Sequence, residues 1–572
     1  MHIGGHLYSV VLSLFSRFYH FSYPIGMRQI AIKVFVSLLS VVCLPIVNAQ
    51  EKGVSTVDSL NKQFLNWYNL DPVKDKIQGA SVNRAYTDIL MHKSPLKKIV
   101  VAVIDGGVDI SHKDLQGKIW INTDEISDNG IDDDNNGYVD DIHGWNFIGN
   151  AKGENIHYEN LELVRIVKKF NSKFTDVQVS DQLSKSDQEE YALYMTCKEI
   201  YEQELKEYQD TEKLLSSFET GYNAAENTLK SFLKKEQYCI SDLKGIKSAP
   251  DDVKKARTYM LYLDKNGFTS QTLKEMKAHT RSYLDYRLNL GFDPRTIISD
   301  NPEDITDDQY GNNDVKGPSP EHGTFVAGII AANRGNHIGT DGIAENVEIM
   351  VLRAVPDGDE RDKDIALAIR YAVDNGAQVI NMSFGKDYSP QKFFVDEAIR
   401  YAGENNVLVV HAAGNEAENL DENERYPTSN LHDGVVISSW LDVGASTHKL
   451  NKEFCGSFSN YGQHSVDLFA PGVNMISLFP KNTYKMSDGT SFSSPVVSGV
   501  AALVWSYFPG LTAPQLKDIL LNSAVKYPRQ MVYLPGQHAD DKTRIRFSSL
   551  SKTGGIVNAY EALKIAETIT GN

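Results

Sequence analysis

The chain has 572 residues, 41% hydrophobic and 23% charged, enough apolar material for a large core and too much for wholesale disorder. A formal charge of −17 argues against a general nucleic-acid binder, which needs a basic face.

Near the N-terminus, Arg28 and Lys33 precede an apolar run from Val34 to Val47 that closes on Val47-Asn48-Ala49. That is the pattern of an export signal cut after Ala49, so residues 1–49 are expected to be removed. The run is too short to span a membrane comfortably, and no span is expected once it is gone. Met27 offers an alternative start. Cys43 follows Val42, which is larger than a lipoprotein signal favours, so a lipid anchor is not expected. Beyond Ala49 only Cys197, Cys239 and Cys455 remain, too few for a disulfide framework. Cys197 and Cys239 could pair within one helical segment, or all three could be free; the spacing does not choose.

Residues 50–94 form a lead-in anchored by Trp67, Tyr68 and Leu70. Lys97 to Ile104 then gives a short, β-branched, continuously apolar run after two lysines, the signature of a buried parallel strand, and it ends at Asp105-Gly106-Gly107. Similar runs recur at Val347–Leu352, Gln378–Met382, Val407–His411 and Gly434–Ser438, with helical patterns such as Asp364–Asn375 and Val395–Glu404 between them. Alternating strand and helix predict an α/β fold: a three-layer core with a parallel sheet and helices on both faces. Ligands of such sheets bind beyond the carboxyl ends of the strands, where Asp105, Ser383-Phe384-Gly385 and Gly414-Asn415 all fall. The core is expected over 95–150 and 291–572. Residues 151–290 break the pattern. No glycine or proline occurs from Asp187 to Thr220, and Tyr194, Tyr201, Tyr208, Leu215 and Tyr222 recur every seven residues. This predicts a helical insertion whose narrow stripe closes a hairpin or docks on a partner.

Four short stretches carry chemistry. Asp488-Gly489-Thr490-Ser491-Phe492-Ser493-Ser494-Pro495 leads into an apolar helical run from Val496 to Phe508, which puts Ser491 at the positive end of a helix dipole. Pro320-Glu321-His322-Gly323-Thr324 opens a helix of small apolar residues, and Val409 to Asn415 is a buried strand that hands off to a turn bearing an amide. With the acid at the end of the first strand, the order is Asp105, His322, Asn415, Ser491. Any one alone reads more simply as a cap or a core residue.

Together these motifs resemble the subtilisin-like serine proteases, the subtilases. The matching residues are Val103-Ile104-Asp105-Gly106-Gly107, His322-Gly323-Thr324, Ala412-Ala413-Gly414-Asn415 and Gly489-Thr490-Ser491, supported by Phe458-Ser459-Asn460-Tyr461-Gly462 and Phe469-Ala470-Pro471-Gly472. The resemblance covers about 79–150 and 300–566. It implies an exported serine endopeptidase in the periplasm, the cell envelope or the medium, acting on proteins or peptides through an acyl-enzyme. Ser491 would be the nucleophile, His322 the general base and acid, and Asp105 its orienting partner, with Asn415 and the Ser491 N–H as oxyanion donors. Ser383, Phe384 and Gly385 would pair with substrate backbone, and Ala413, Gly414 and Arg425 would border the first specificity pocket. Gly106, Phe325 and Phe492 depart from the common family residues without removing a catalytic atom. A gap of 217 residues between Asp105 and His322 is long for the family, and residues 50–94 are short for its folding propeptide. The intact set argues against a non-catalytic binding scaffold on the same fold. A nucleotide-binding α/β protein fails because Asp105-Gly106-Gly107 lacks phosphate-loop spacing.

Two further expectations concern charge. In Asp132-Asp133-Asp134-Asn135-Asn136-Gly137, residues Asp132, Asp134 and Asn136 alternate before a glycine, with Asp140 following, as hard oxygen ligands do in a calcium loop. His143 stands where a bidentate carboxylate belongs, and Asp141 could substitute. Arg425, before Tyr426-Pro427, has three open readings: a cation for acidic substrate side chains, a partner of Glu416, or a side chain turned to solvent.

Overall fold

The computed structural model describes residues 56–175, 177, 183–537 and 543–571, so the export signal lies outside the described residues. Residues 52–162 and 293–572 form one compact unit, and 163–292 belong to another.

Among the described residues the larger unit has thirteen strands: β1 (Ile99–Asp105), β2 (Gly144–Asn146), β3 (Val347–Arg353), β4 (Val379–Met382), β5 (Leu408–Ala412), β6 (Trp440–Ser446), β7 (Leu468–Pro471), β8 (Met475–Phe479), β9 (Thr483–Ser487), β10 (Val525–Lys526), β11 (Met531–Tyr533), β12 (Arg544–Arg546) and β13 (Gly555–Ile556). Nine make the central sheet in the order β10-β13-β7-β6-β5-β4-β1-β3-β2. Every pairing in it is parallel except β10 with β13.

Six helices cover it: α1 (Glu321–Ala331), α2 (Asp362–Asp374), α3 (Lys392–Glu404), α4 (Ser494–Tyr507), α5 (Ala513–Ser523) and α6 (Ala559–Thr570). The strands read as unbroken apolar runs because both faces are covered. Val101 and Val103 of β1 join one cluster with α1, α4 and α6. Ala102 and Ile104 join a second with α2 and α3. This is the three-layer α/β architecture. α1 and α4 are buried almost all round, which their small residues permit.

One expected strand is displaced. Gly434–Ser438 holds only an isolated bridge between Asn430 and Val436, with Val435 and Val436 exposed by 42% and 63%. Gly434 turns the chain at φ 84°, and the strand forms six residues later as β6. The lead-in is woven into the core: Trp67 and Tyr68 are fully buried, and the Tyr68 hydroxyl donates to the Asp341 carbonyl.

In the other unit, a 49-residue helix, Lys185–Leu233, packs on helices Asp251–Lys265 and Ser270–Ser282. Of the heptad residues, Tyr194, Tyr208, Leu215 and Tyr222 are buried and Tyr201 is half-buried. Tyr208 stacks on Tyr283 at 4.1 Å between ring centres. None of Cys197, Cys239 and Cys455 is in a disulfide.

Candidate active site

β1 lies between β3 and β4 and delivers Asp105 at its carboxyl end. There the Gly106 N–H donates to Asp105 Oδ1 at 2.7 Å. α1 must then approach very closely. A Cβ on Gly323 would stand 2.3 Å from the Gly107 carbonyl oxygen, so only glycine lets the helix bring His322 over the acid. His322 Nδ1 lies 2.8 and 3.0 Å from the two Asp105 oxygens. An ionised carboxylate only accepts, so Nδ1 carries the hydrogen and Nε2 keeps a lone pair. Burial, the largest single influence on His322, pulls its pKa down. The Asp105 charge and hydrogen bond together outweigh it and hold it above the ordinary 6.5.

Ser491 occupies a single 3-10 turn, Thr490–Phe492, just ahead of α4. Its Oγ donates to the Ser383 carbonyl at 3.1 Å, and among the described residues no hydrogen bond joins it to His322. The ring of Phe492, one residue on, lies 5.6 Å from the His322 ring and 4.2 Å from that of Phe325. The two aromatic departures from the family pattern thus pack on each other beside the imidazole.

Asn415 is held by its oxygen. Oδ1 accepts from the Thr490 N–H at 2.9 Å and the Thr490 hydroxyl at 3.0 Å, which turns the amide nitrogen the other way. Gly414, at φ 101°, donates its N–H to the same hydroxyl, and a Cβ there would strike the Asn460 amide at 2.4 Å. Asn460 in turn donates to the carbonyl of buried Ala413 and to Glu416, and accepts from the Glu416 and Glu418 N–H groups. Beneath the serine, Ser498 donates to Asn381, Asn381 donates to Ser383 Oγ, and Ser383 Oγ donates to the Ser491 carbonyl.

The expected residues Ser383, Phe384 and Gly385 follow β4 directly, and Gly385 runs beside the Tyr426 carbonyl. Arg425, only 14% exposed at its side chain, meets Asp387 at 2.6 Å, Glu416 at 3.3 Å and Glu418 at 3.8 Å. Burial raises the pKa of Glu418, opposed by Arg425. Thr490 and Asn460 lie within the family-like stretches Gly489-Thr490-Ser491 and Phe458–Gly462. Their function is to bind side chains and backbone distant in sequence, which no local pattern reports.

The acidic loop divides differently from the expected ligand set. Glu125, Asp134 and Asp141 bring one oxygen each within 4.8 Å of one another. Asp132 accepts from the Asn136 and Gly137 N–H groups, Asp140 from those of Asn129 and Gly130, and Glu125 from those of Asp133, Asp134 and Asp140, so all three also hold the turn. Asn136 donates to Asp134 and Asp141, as does Asn122. Burial raises the pKa of Asp141, in spite of donors that include the Tyr371 hydroxyl at 2.5 Å. Three converging carboxylates with only neutral donors between them form an all-oxygen set that suits a hard cation.

The Subtilase family model matches residues 96–544. A thermophilic serine proteinase of a Bacillus strain is 38% identical over 204 residues, 36% of this chain and 46% of that protein, so the match takes in under half of that relative. Subtilisin DY of Bacillus licheniformis is 35% identical over 217 residues, 38% of this chain and 74% of that one. A solved cold-adapted subtilisin-like serine proteinase is 28% identical, with a TM-score of 0.34 over 45% of this chain and 79% of that one.

Proposed function

The chain belongs to the subtilase family of serine endopeptidases, and on that premise we propose that it is an exported peptidase acting through Asp105, His322 and Ser491 with an acyl-enzyme intermediate. The observation that carries this reading is the tautomer imposed on His322: Nδ1–H donates to Asp105, leaving the Nε2 lone pair free to act as a base. Ser491 gives up its bond to Ser383, rotates toward Nε2 and attacks the scissile carbonyl as His322 takes the hydroxyl proton. Negative charge on the former carbonyl oxygen meets the Asn415 amide nitrogen and the Ser491 N–H. His322 then gives the proton to the leaving amine, and water releases the acyl group by the same steps. Asp105 holds the ring and stabilises its cation throughout.

Ser383, Phe384 and Gly385 receive the substrate as an added strand. Three carboxylates around one guanidinium at Arg425 leave no net positive charge for an acidic substrate side chain, which supports the reading of Arg425 as an internally neutralised wall. Glu125, Asp134 and Asp141 would hold a calcium ion that ties the acidic loop down. Among the described residues no helix is long and apolar enough to cross a membrane; export rests on the pattern ending at Ala49.

A serine-directed fluorophosphonate tests the assignment. It should label the wild-type chain and not Ser491→Ala. Labelling that persists in Ser491→Ala would move the nucleophile elsewhere.

A further inference from the structure

A second Asp–His pair lies on β5 and β6, across β4 from the first. His411 on β5 sits in register between Met382 of β4 and Asp442 of β6, and it is only 5% exposed. Its Nδ1 is 2.8 Å from Asp442 Oδ1, and its Nε2 is 2.8 Å from the carbonyl oxygen of Phe384. The other Asp442 oxygen accepts from the indole N–H of fully buried Trp440 at 2.7 Å, and the Trp440 ring centre lies 5.2 Å from the imidazole. A carbonyl oxygen has no hydrogen to give, so Nε2 donates to Phe384 while Asp442 holds the other edge of the ring. Nothing in the reaction derived above uses this pair, since no bond runs from it to Asp105, His322 or Ser491.

We propose that His411, oriented by Asp442, is a positioning residue that fixes the substrate-binding segment Ser383–Gly385 through the Phe384 carbonyl. The proposal rests on reading that segment as the strand substrate pairs with. Successive carbonyls of an extended chain point to opposite sides. Pinning the Phe384 oxygen inward therefore aims the Ser383 and Gly385 carbonyls the other way, and the Ser383 oxygen already faces Ser491. The next residue is fixed independently, with Lys386 and Tyr426 exchanging backbone hydrogen bonds at 3.0 and 2.9 Å. Between β4 and that pairing, His411 is the side chain that holds the middle of the segment. The result is a rigid template, so that substrate need not order the strand on binding.

Two amide variants separate the two bonds. In His411→Gln the amide nitrogen reaches the place of Nε2 and can still donate to Phe384. In His411→Asn it reaches only the place of Nδ1 and Asp442. Steady-state kinetics on a tetrapeptide p-nitroanilide, with the rate of fluorophosphonate labelling as a measure of the nucleophile, should give the Asn variant a KM raised about tenfold, with kcat and labelling within about twofold of wild type. The Gln variant should return KM to near the wild-type value. Unchanged KM in both variants overturns the proposal. So does an equal loss of kcat and labelling in both, because that is a structural defect and not a positioning one. A wild-type chain that does not label at all overturns the hydrolase reading itself, and this proposal with it.

Discussion

At the scale of single residues, the chemistry rests on which atom of each side chain is already spoken for. His322 must be neutral to accept a proton, and Asp105 holds its pKa above 6.5. Peptidase kcat/KM should therefore rise with pH through an inflection above 6.5. In Asp105→Asn the inflection should fall, with kcat lower by about ten-thousandfold. The linked stability has the opposite sign. The pair stabilises the fold fully below the unfolded value of 6.5 and loses that contribution as pH rises through the higher folded value. A pH-rate profile with its acid inflection at or below 6.5 would show that Asp105 does not outweigh burial. Asn415→Ala should cost roughly a hundred- to a thousandfold in kcat, the range for losing one oxyanion donor. Thr490→Val should lose part of that, about tenfold, because the amide nitrogen is no longer aimed. A valine variant at full activity would show that Asn415 orients without Thr490.

At the scale of elements, the decisive contact is the N-terminal end of α1 against the end of β1. Gly323→Ala puts a methyl group against the Gly107 backbone, which cannot move without moving Asp105. The helix must shift, at a cost of about 1–3 kcal/mol. Because the shift also separates His322 from Asp105, activity should fall further than the loss of folded protein explains. Comparing urea unfolding with kcat/KM checks this, and a stable variant with wild-type turnover would contradict it. The strand displaced from Gly434–Ser438 to β6 belongs to this scale as well. Both segments carry apolar residues, and only packing decides which one is buried on two sides.

At the scale of the whole molecule, the lead-in and the acidic loop are expected to act on stability. Trp67→Ala should cost about 3–5 kcal/mol, as expected for emptying a fully buried tryptophan site, read from denaturant unfolding. A change under 1 kcal/mol would mean that the segment is dispensable. Calcium should raise Tm over the value in chelator by mass action, and Glu125→Gln should abolish most of that rise while Asp140→Asn keeps it. Calcium without effect on Tm would remove the ion from the account. Residues 163–292 are compact in their own right. Replacing them by a flexible linker is expected to spare cleavage of small peptides and alter cleavage of proteins; loss of folding would make the unit structural.

The order Asp105, His322, Asn415, Ser491, the apolar runs of β1, β3, β4 and β5, and the tyrosine stripe were legible in the sequence because each is local: a residue type next to small residues, or a period of two, three and a half, or seven. Tertiary structure alone decided three other things. It brought Glu125, which lies outside the Asp132–Asp141 run, within 4.8 Å of Asp134 and Asp141, because convergence depends on where side chains end and not on how they are spaced. It set Asp387, from the connection after β4, and Glu416 and Glu418, from Arg425's own connection after β5, around one guanidinium. It also set His411 between Asp442 and Phe384, because register across parallel strands joins residues that are 31 and 27 positions apart in the chain. Sequence spacing records neighbours along the backbone, whereas hydrogen bonds and charge pairs act over about 3–4 Å of space.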